Sequence, residues 1–292
     1  MRNRAILMIL IGFMAVSLCA GQEQLPARPI ANFKNPSTVY SLAVNPQETI
    51  LACGLADGRI KLWNLKNYKP IVLIEGHEGK VNGVALTSDN KLISGGDDGK
   101  IIVWDLTTYK PIKTLEGHKG AVTSIDLHPN SKLLISGGAD NKVNLWDIES
   151  GSLIKTFTGV TSPVRFSPDG SMFAVRSGSS VILYDTETRL AYKQTKPCKG
   201  WKLGSSYHPL KTLCPDFSPD SKQLGVVYYY VSGSYRWSYR ANTVRLFDSH
   251  TVNIIMDEGK GYEGRYSYSL SLIHISEPTR PRLISYAVFC LK

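Results

Sequence analysis

The stretch KVNGVALTSDNKLISGGDDGKIIVWDLTTYKPIKTLEGH, residues 80–118, decides how the chain is read. It breaks into four short runs, VNGVAL, KLISGG, KIIVWD and KPIKTL, separated by TSDN, DDG and TTY. Each run is rich in β-branched residues, and each separator is built from turn formers. That is the pattern of four consecutive strands, here a, b, c and d, folded as an antiparallel meander. Such a sheet cannot bury both faces by itself, so it needs a neighbour on each side.

The neighbours are written in the same chain. DGRIKLWN, DGKIIVWD and DNKVNLWD end near Trp63, Trp104 and Trp146, spaced 41 and 42 residues apart. EGH recurs at 75–77 and 116–118, and KPI at 69–71 and 110–112. A period of this length marks stacked supersecondary units. With these motifs in hand, the chain resembles the WD-repeat (tryptophan–aspartate) β-propeller family, whose units form four-stranded blades. The expected fold is an all-β propeller.

The resemblance implies a hydrogen-bonded network in each regular blade. In one unit it would join His77, Ser94, Asp98 and Trp104, and in the next His118, Ser136, Asp140 and Trp146. A carboxylate would fix the imidazole, which reaches the hydroxyl, which reaches the indole. These histidines are then structural. The first unit keeps Asp57 and Trp63 but has Cys53 where the others have serine, and it lacks GH. The fourth ends at Tyr184-Asp185 and has Val160 in the place of histidine; the fifth ends at Phe247-Asp248. The network is expected to be missing from both.

Residues 28–34 align with strand d. In the family such a strand commonly completes the last blade and closes the ring. Five a–b–c sets are legible against about seven blades in the family, so the propeller, taken as 28–269, is expected to be incomplete.

In strand order the d–a and b–c loops share one face. Both insertions of the fifth unit fall there: the d–a region 193–216 and the b–c hairpin 226–244. The hairpin puts Tyr235, Trp237 and Tyr239 on one face and Arg236 and Arg240 on the other. Tyr, Trp and Arg dominate interface energetics, so the hairpin is either a docking element or a strip packed on the next blade. Tyr40, Asn82, Thr123 and Arg165 each follow the first valine of a strand a, a place that tends to line the same mouth in the family.

The rest of the composition narrows the function. Net charge is +10, but the terminal segments 1–20 and 270–292 carry +2 each, leaving +6 scattered among acids. A nucleic-acid reader would concentrate it, so the expected partner is a protein or peptide. No nucleophile motif, metal-ligand spacing or phosphate loop appears, and neither a catalytic residue, a metal nor a cofactor is expected. His208 near Cys198 and Cys214 is too loosely spaced for a metal site. The two cysteines either form a disulfide or stay as free thiols.

MRNR followed by an apolar run to Ala20 reads as a secretory signal over 1–21, with export to the periplasm or medium; a retained membrane anchor is the alternative. No membrane span follows it. Leu18 before Cys19 argues against a lipid anchor there. Leu270–Arg280 and Ile284–Leu291 resemble the translated ends of a sequencing adaptor, so 270–292 is expected to be non-biological. The function expected is an exported interaction scaffold. The rivals are a propeller domain of a larger enzyme, and a glycan or cell-wall binder.

Overall fold

The computed structural model describes residues 33–195, 201–203, 206–208, 211–229, 242–251 and 254–258. The segments read as signal and tail, most of Arg28–Lys34, and the hairpin tip with Tyr235, Arg236, Trp237, Tyr239 and Arg240 lie outside them, as does Cys198.

Every described element is a strand. Blade one holds β1 (Val39–Val44), β2 (Ile50–Leu55), β3 (Arg59–Asn64) and β4 (Pro70–Glu75). Blade two holds β5 (Val81–Leu86), β6 (Lys91–Gly96), β7 (Ile101–Asp105) and β8 (Lys110–Leu115). Blade three holds β9 (Val122–Leu127), β10 (Leu133–Gly138), β11 (Lys142–Asp147) and β12 (Leu153–Thr158). Blade four holds β13 (Thr161–Phe166), β14 (Met172–Ser177), β15 (Ser180–Asp185) and β16 (Ala191–Gln194). A short hairpin, β17 (Trp201–Leu203) with β18 (Ser206–His208), then interrupts the repeat where the sequence showed only a long d–a connection. Blade five holds β19 (Lys211–Phe217), β20 (Gln223–Tyr229), β21 (Asn242–Asp248) and β22 (Ile254–Glu258). Each blade is an antiparallel meander in chain order.

The first strand of each blade contacts the first strand of the next, from β1 through β5, β9 and β13 to β19. Strand a therefore lies nearest the axis and strand d at the perimeter. Among the described strands no contact of comparable extent joins blade five back to blade one.

Among the described residues, four of the five hydrophobic cores lie between neighbouring blades. Ile60 and Leu62 of blade one meet Val84, Ile102 and Trp104 of blade two. Val103 and Leu115 of blade two meet Ile125, Leu134 and Trp146 of blade three, and Leu145 and Phe157 meet Val164 and Phe173 of blade four. Alternate residues of a strand point to opposite faces, so one strand c feeds two cores. Cys53 belongs instead to a cluster within blade one, with Leu51, Leu55, Trp63 and Leu65; burial pushes its thiol up to about 12, and it acts as a small hydrophobe.

Turn chemistry spaces the strands. In blades two to four the acid after the strand-c aromatic folds back on its own c–d turn. The Asp105 Oδ1 accepts the Thr107 N–H at 2.7 Å, Asp147 the Ser150 N–H at 2.7 Å, and Asp185 the Thr188 N–H at 2.7 Å. These backbone donors hold all three carboxyls below the ordinary aspartate range. The perimeter is buckled the same way at three junctions. Lys113 Nζ donates to the Glu149 carbonyl, Lys155 Nζ to the Arg189 carbonyl at 2.7 Å, and the Tyr192 hydroxyl to the His250 carbonyl at 3.2 Å. Each tie joins a strand d to the c–d turn of the following blade.

Candidate functional site

The d–a and b–c turns lie together. The His77 amide donates to the Gly58 carbonyl at 3.3 Å, and the Asp97 amide to the Lys80 carbonyl at 2.9 Å. Gly58 and Gly99, with φ of +85° and +76°, let the b–c turns reverse tightly. This face is where the networks stand.

In blade two, His77 Nδ1 lies 3.0 Å from both Asp98 carboxylate oxygens, and its Nε2 lies 2.7 Å from Ser94 Oγ. Trp104 Nε1 donates to the same Oγ at 2.8 Å. Blade three repeats this with His118, Asp140, Ser136 and Trp146 at 3.1, 2.8 and 2.8 Å. The indole can only donate, so the serine oxygen accepts from it; the buried serine O–H has Nε2 as its one acceptor among these hydrogen bonds, and gives its proton there. Nε2 is then the acceptor and Nδ1–H the donor to the carboxylate, which fixes a neutral tautomer for both rings. The carboxylates also accept turn amides: Asp98 takes Glu78 and Lys100, and Asp140 takes Lys119 and Lys142. Burial alone would raise the Asp140 carboxyl; the Lys119 amide and the His118 ring hold it below the ordinary range. Glycine precedes each histidine because the indole packs there. A Cβ on Gly117 would stand 2.8 Å from Trp146 Cη2, and one on Gly76 would overlap Trp104.

Blade one solves the same problem differently. Asn35 lies four residues before Val39, as His77 does before Val81, and its Oδ1 accepts the Trp63 indole N–H directly at 3.2 Å. The 42-residue offset from His77 was visible in the sequence; the substitute role of an asparagine there was not. Asp57 turns instead to Arg59, at 2.6 Å. Blade four has no polar tetrad. Val160 and Val175 fill the places of histidine and serine, and Tyr184 stacks on Phe173 at 5.2 Å and meets Phe157 edge-on at 4.7 Å.

Above these supports, strand a bulges. The register shifts between Val39 and Ser41, between Val81 and Gly83, and across Thr123. Tyr40, Asn82 and Thr123 are thus the bulged residues, and a bulge re-aims its side chain. Lys80 Nζ sits 5.0 Å over the Tyr40 ring. Asn82 Nδ2 donates to Asp97 Oδ1 at 2.7 Å and to the Val122 carbonyl at 2.9 Å. Thr123 Oγ1 lies 2.9 Å from the Gly137 carbonyl and donates to Ser162 Oγ at 2.6 Å.

Arg165 does not belong to this set. Blade four spends two residues on its bulge, Ser162 and Pro163, so Val164 pairs with Val175 as Val84 pairs with Ser94. Ser162 occupies the mouth position, and Arg165 lies deeper, opposite Ala174. Alignment on the valine misplaced it because the doubled bulge shifts the register. Blade five's hairpin reaches Tyr229 and resumes at Asn242; the aromatic and arginine residues between them lie outside the described residues. Cys214 lies on β19, and its pairing is likewise outside what is described. Among the described residues, no group of three or more His, Cys, Asp or Glu side chains could hold a metal ion, and no helix is long and apolar enough to cross a membrane.

Residues 27–64, 68–105 and 109–147 match the family model of the WD40 repeat (WD domain, G-beta repeat). Blades one to three are built from WD40 repeats. The second and third matches are staggered against the blades, each joining strand d of one blade to strands a to c of the next. A 52-residue segment is 40% identical to the small ribosomal subunit protein RACK1y of Oryza sativa subsp. japonica. That match covers 18% of this chain and 16% of the relative's length.

Proposed function

We propose that the chain is a protein-interaction scaffold whose partner, a protein or peptide, docks on the face carrying the d–a and b–c loops. The observation that carries this reading is the row of bulged residues, Tyr40, Asn82, Thr123 and Ser162, set beside d–a and b–c turns that hydrogen-bonded tetrads tie together in blades two and three. Docking onto a preorganised surface costs less ordering entropy. The WD40 repeats and the likeness to RACK1y support a scaffold role. The basic and apolar opening of the sequence supports export, which cell fractionation with N-terminal sequencing of the mature chain would check.

The test of docking uses two surface variants of the full chain, Asn82→Arg with Thr123→Arg, and Asn90→Arg with Lys132→Glu on the opposite face. Partners captured from the native source are compared by mass spectrometry. A partner retained by the second variant and lost by the first supports the reading. Loss with both, or with the second alone, overturns it.

A further inference from the structure

Strand a carries one residue per blade at the same depth along the axis, each opposite the equivalent residue of strand b: Ala43 opposite Ala52, Ala85 opposite Ile93, Asp126 opposite Ile135, Arg165 opposite Ala174 and Asp216 opposite Gly225. Three successive blades therefore place an acid, a base and an acid at one level, amid partners that carry no charge. Asp126 Oδ2 reaches the next blade and accepts the Phe166 N–H at 2.6 Å. Asp216 Oδ1 accepts the Phe217 N–H at 3.1 Å. Arg165 folds along its own strand, its Nη1 3.2 Å from the Val164 carbonyl. Its positive charge acts on both carboxylates, and the Asp126 charge acts on Asp216.

We propose that Asp126, Arg165 and Asp216 form a proton-binding brace in the axial wall, which takes up a proton on acidification and tightens the packing of blades three to five. The charge balance among the described residues of this level motivates the device. One guanidinium faces two carboxylates there, so one negative charge is left among three half-buried side chains. A proton neutralises it without moving any strand, because each backbone N–H needs only one carboxyl oxygen.

The direction of titration agrees. Burial raises the carboxyls of both Asp126 and Asp216 above the ordinary aspartate value, and Arg165 only partly offsets this. A carboxyl raised in the folded state costs stability when ionised. The cost is present above the folded value, shrinks as pH falls through it, and is gone below the unfolded value. This pair therefore gains stability on mild acidification, opposite to the turn aspartates.

The test is a carboxyl-carbon NMR titration of the full chain beside Asp126→Asn and Asp216→Asn. The expected result is one aspartate titrating above the ordinary range in the parent. In each variant the remaining acid, freed of its like-charged neighbour, should move down. Two aspartates titrating at or below the ordinary value, each indifferent to loss of the other, would overturn the proposal. Thermal unfolding gives a second reading if Asp126→Asn does not fold. Asp216→Asn should melt about 2–4 °C above the parent at pH 7.5, for roughly 1 kcal/mol, with the gap narrowing as the pH falls and closed below the unfolded value of 3.8. A gap of opposite sign, or a parent stabilised by added calcium or magnesium while Asp216→Asn is not, would also overturn it; the latter would show that a metal ion takes the surplus charge.

Discussion

Blades three and four pack against each other, yet they hold their strands in opposite ways. Blade three threads a polar relay from Asp140 through His118 and Ser136 to Trp146. Blade four puts Val160, Val175 and Tyr184 at the corresponding places and packs Phe157 and Phe173 around them. Both arrangements leave the strands in register, so the relay is not what makes a blade. It ties the d–a turn to the b–c turn through directed bonds, whereas the apolar set contributes burial without direction. The difference lies in how firmly each blade's loops are fixed, and the loops are what a partner would meet.

The contrast can be broken most severely from the apolar side. Phe173→Ala should cost about 3–5 kcal/mol, as for other fully buried aromatics, read by denaturant unfolding. A loss under about 1 kcal/mol would mean the aromatic cluster does not carry blade four. On the polar side, Ser136→Val gives blade three the residue blade four uses. It strands the His118 Nε2 and the Trp146 N–H together, and should cost about 2–4 kcal/mol, on the order of 1–3 for each group left unpaired. Adding His118→Val and Trp146→Tyr should recover part of that loss. If Ser136→Val is neutral, the relay contributes nothing to stability.

A smaller effect of the opposite sign is expected at Asn144. This side chain is fully buried, and its Nδ2 has no partner while its Oδ1 accepts Thr156 Oγ1 at 2.8 Å. Blade two has Ile102 at the same place, and Thr156 is exposed to solvent. Asn144→Ile should therefore raise stability by about 1 kcal/mol, seen as a higher denaturant midpoint. Acid should separate the two mechanisms further. Asp140 is held below its ordinary value, so its contribution is present above the unfolded value of 3.8 and is lost as pH falls through the folded one. Hydrogen exchange below pH 4 should loosen the b–c turn of blade three before the strands of blade four.

Much of this was legible in the sequence. The tryptophan spacing and the turn dipeptides set the blades, because strand alternation and turn chemistry are local. The members of both tetrads could be named from the resemblance to the WD-repeat family, and the fixed repeat carried the same four positions from one blade to the next. The mouth position in blade four was misread, because the two-residue bulge at Ser162-Pro163 changes register without changing the apolar pattern. Asn35 was passed over because its role depends on an indole 28 residues away. The axial triad was invisible for a related reason. Asp126, Arg165 and Asp216 share a level only once the bulges of three blades are counted.

The most direct test of the relay is nitrogen NMR of the imidazole rings at pH 7.5. The donor logic that starts at Trp104 and Trp146 requires His77 and His118 both to be neutral, with the proton on Nδ1 and Nε2 accepting from serine. Two rings in that tautomer, with ring protons slow to exchange, are the predicted result. A proton on Nε2 of either ring, or a charged imidazolium, would contradict it.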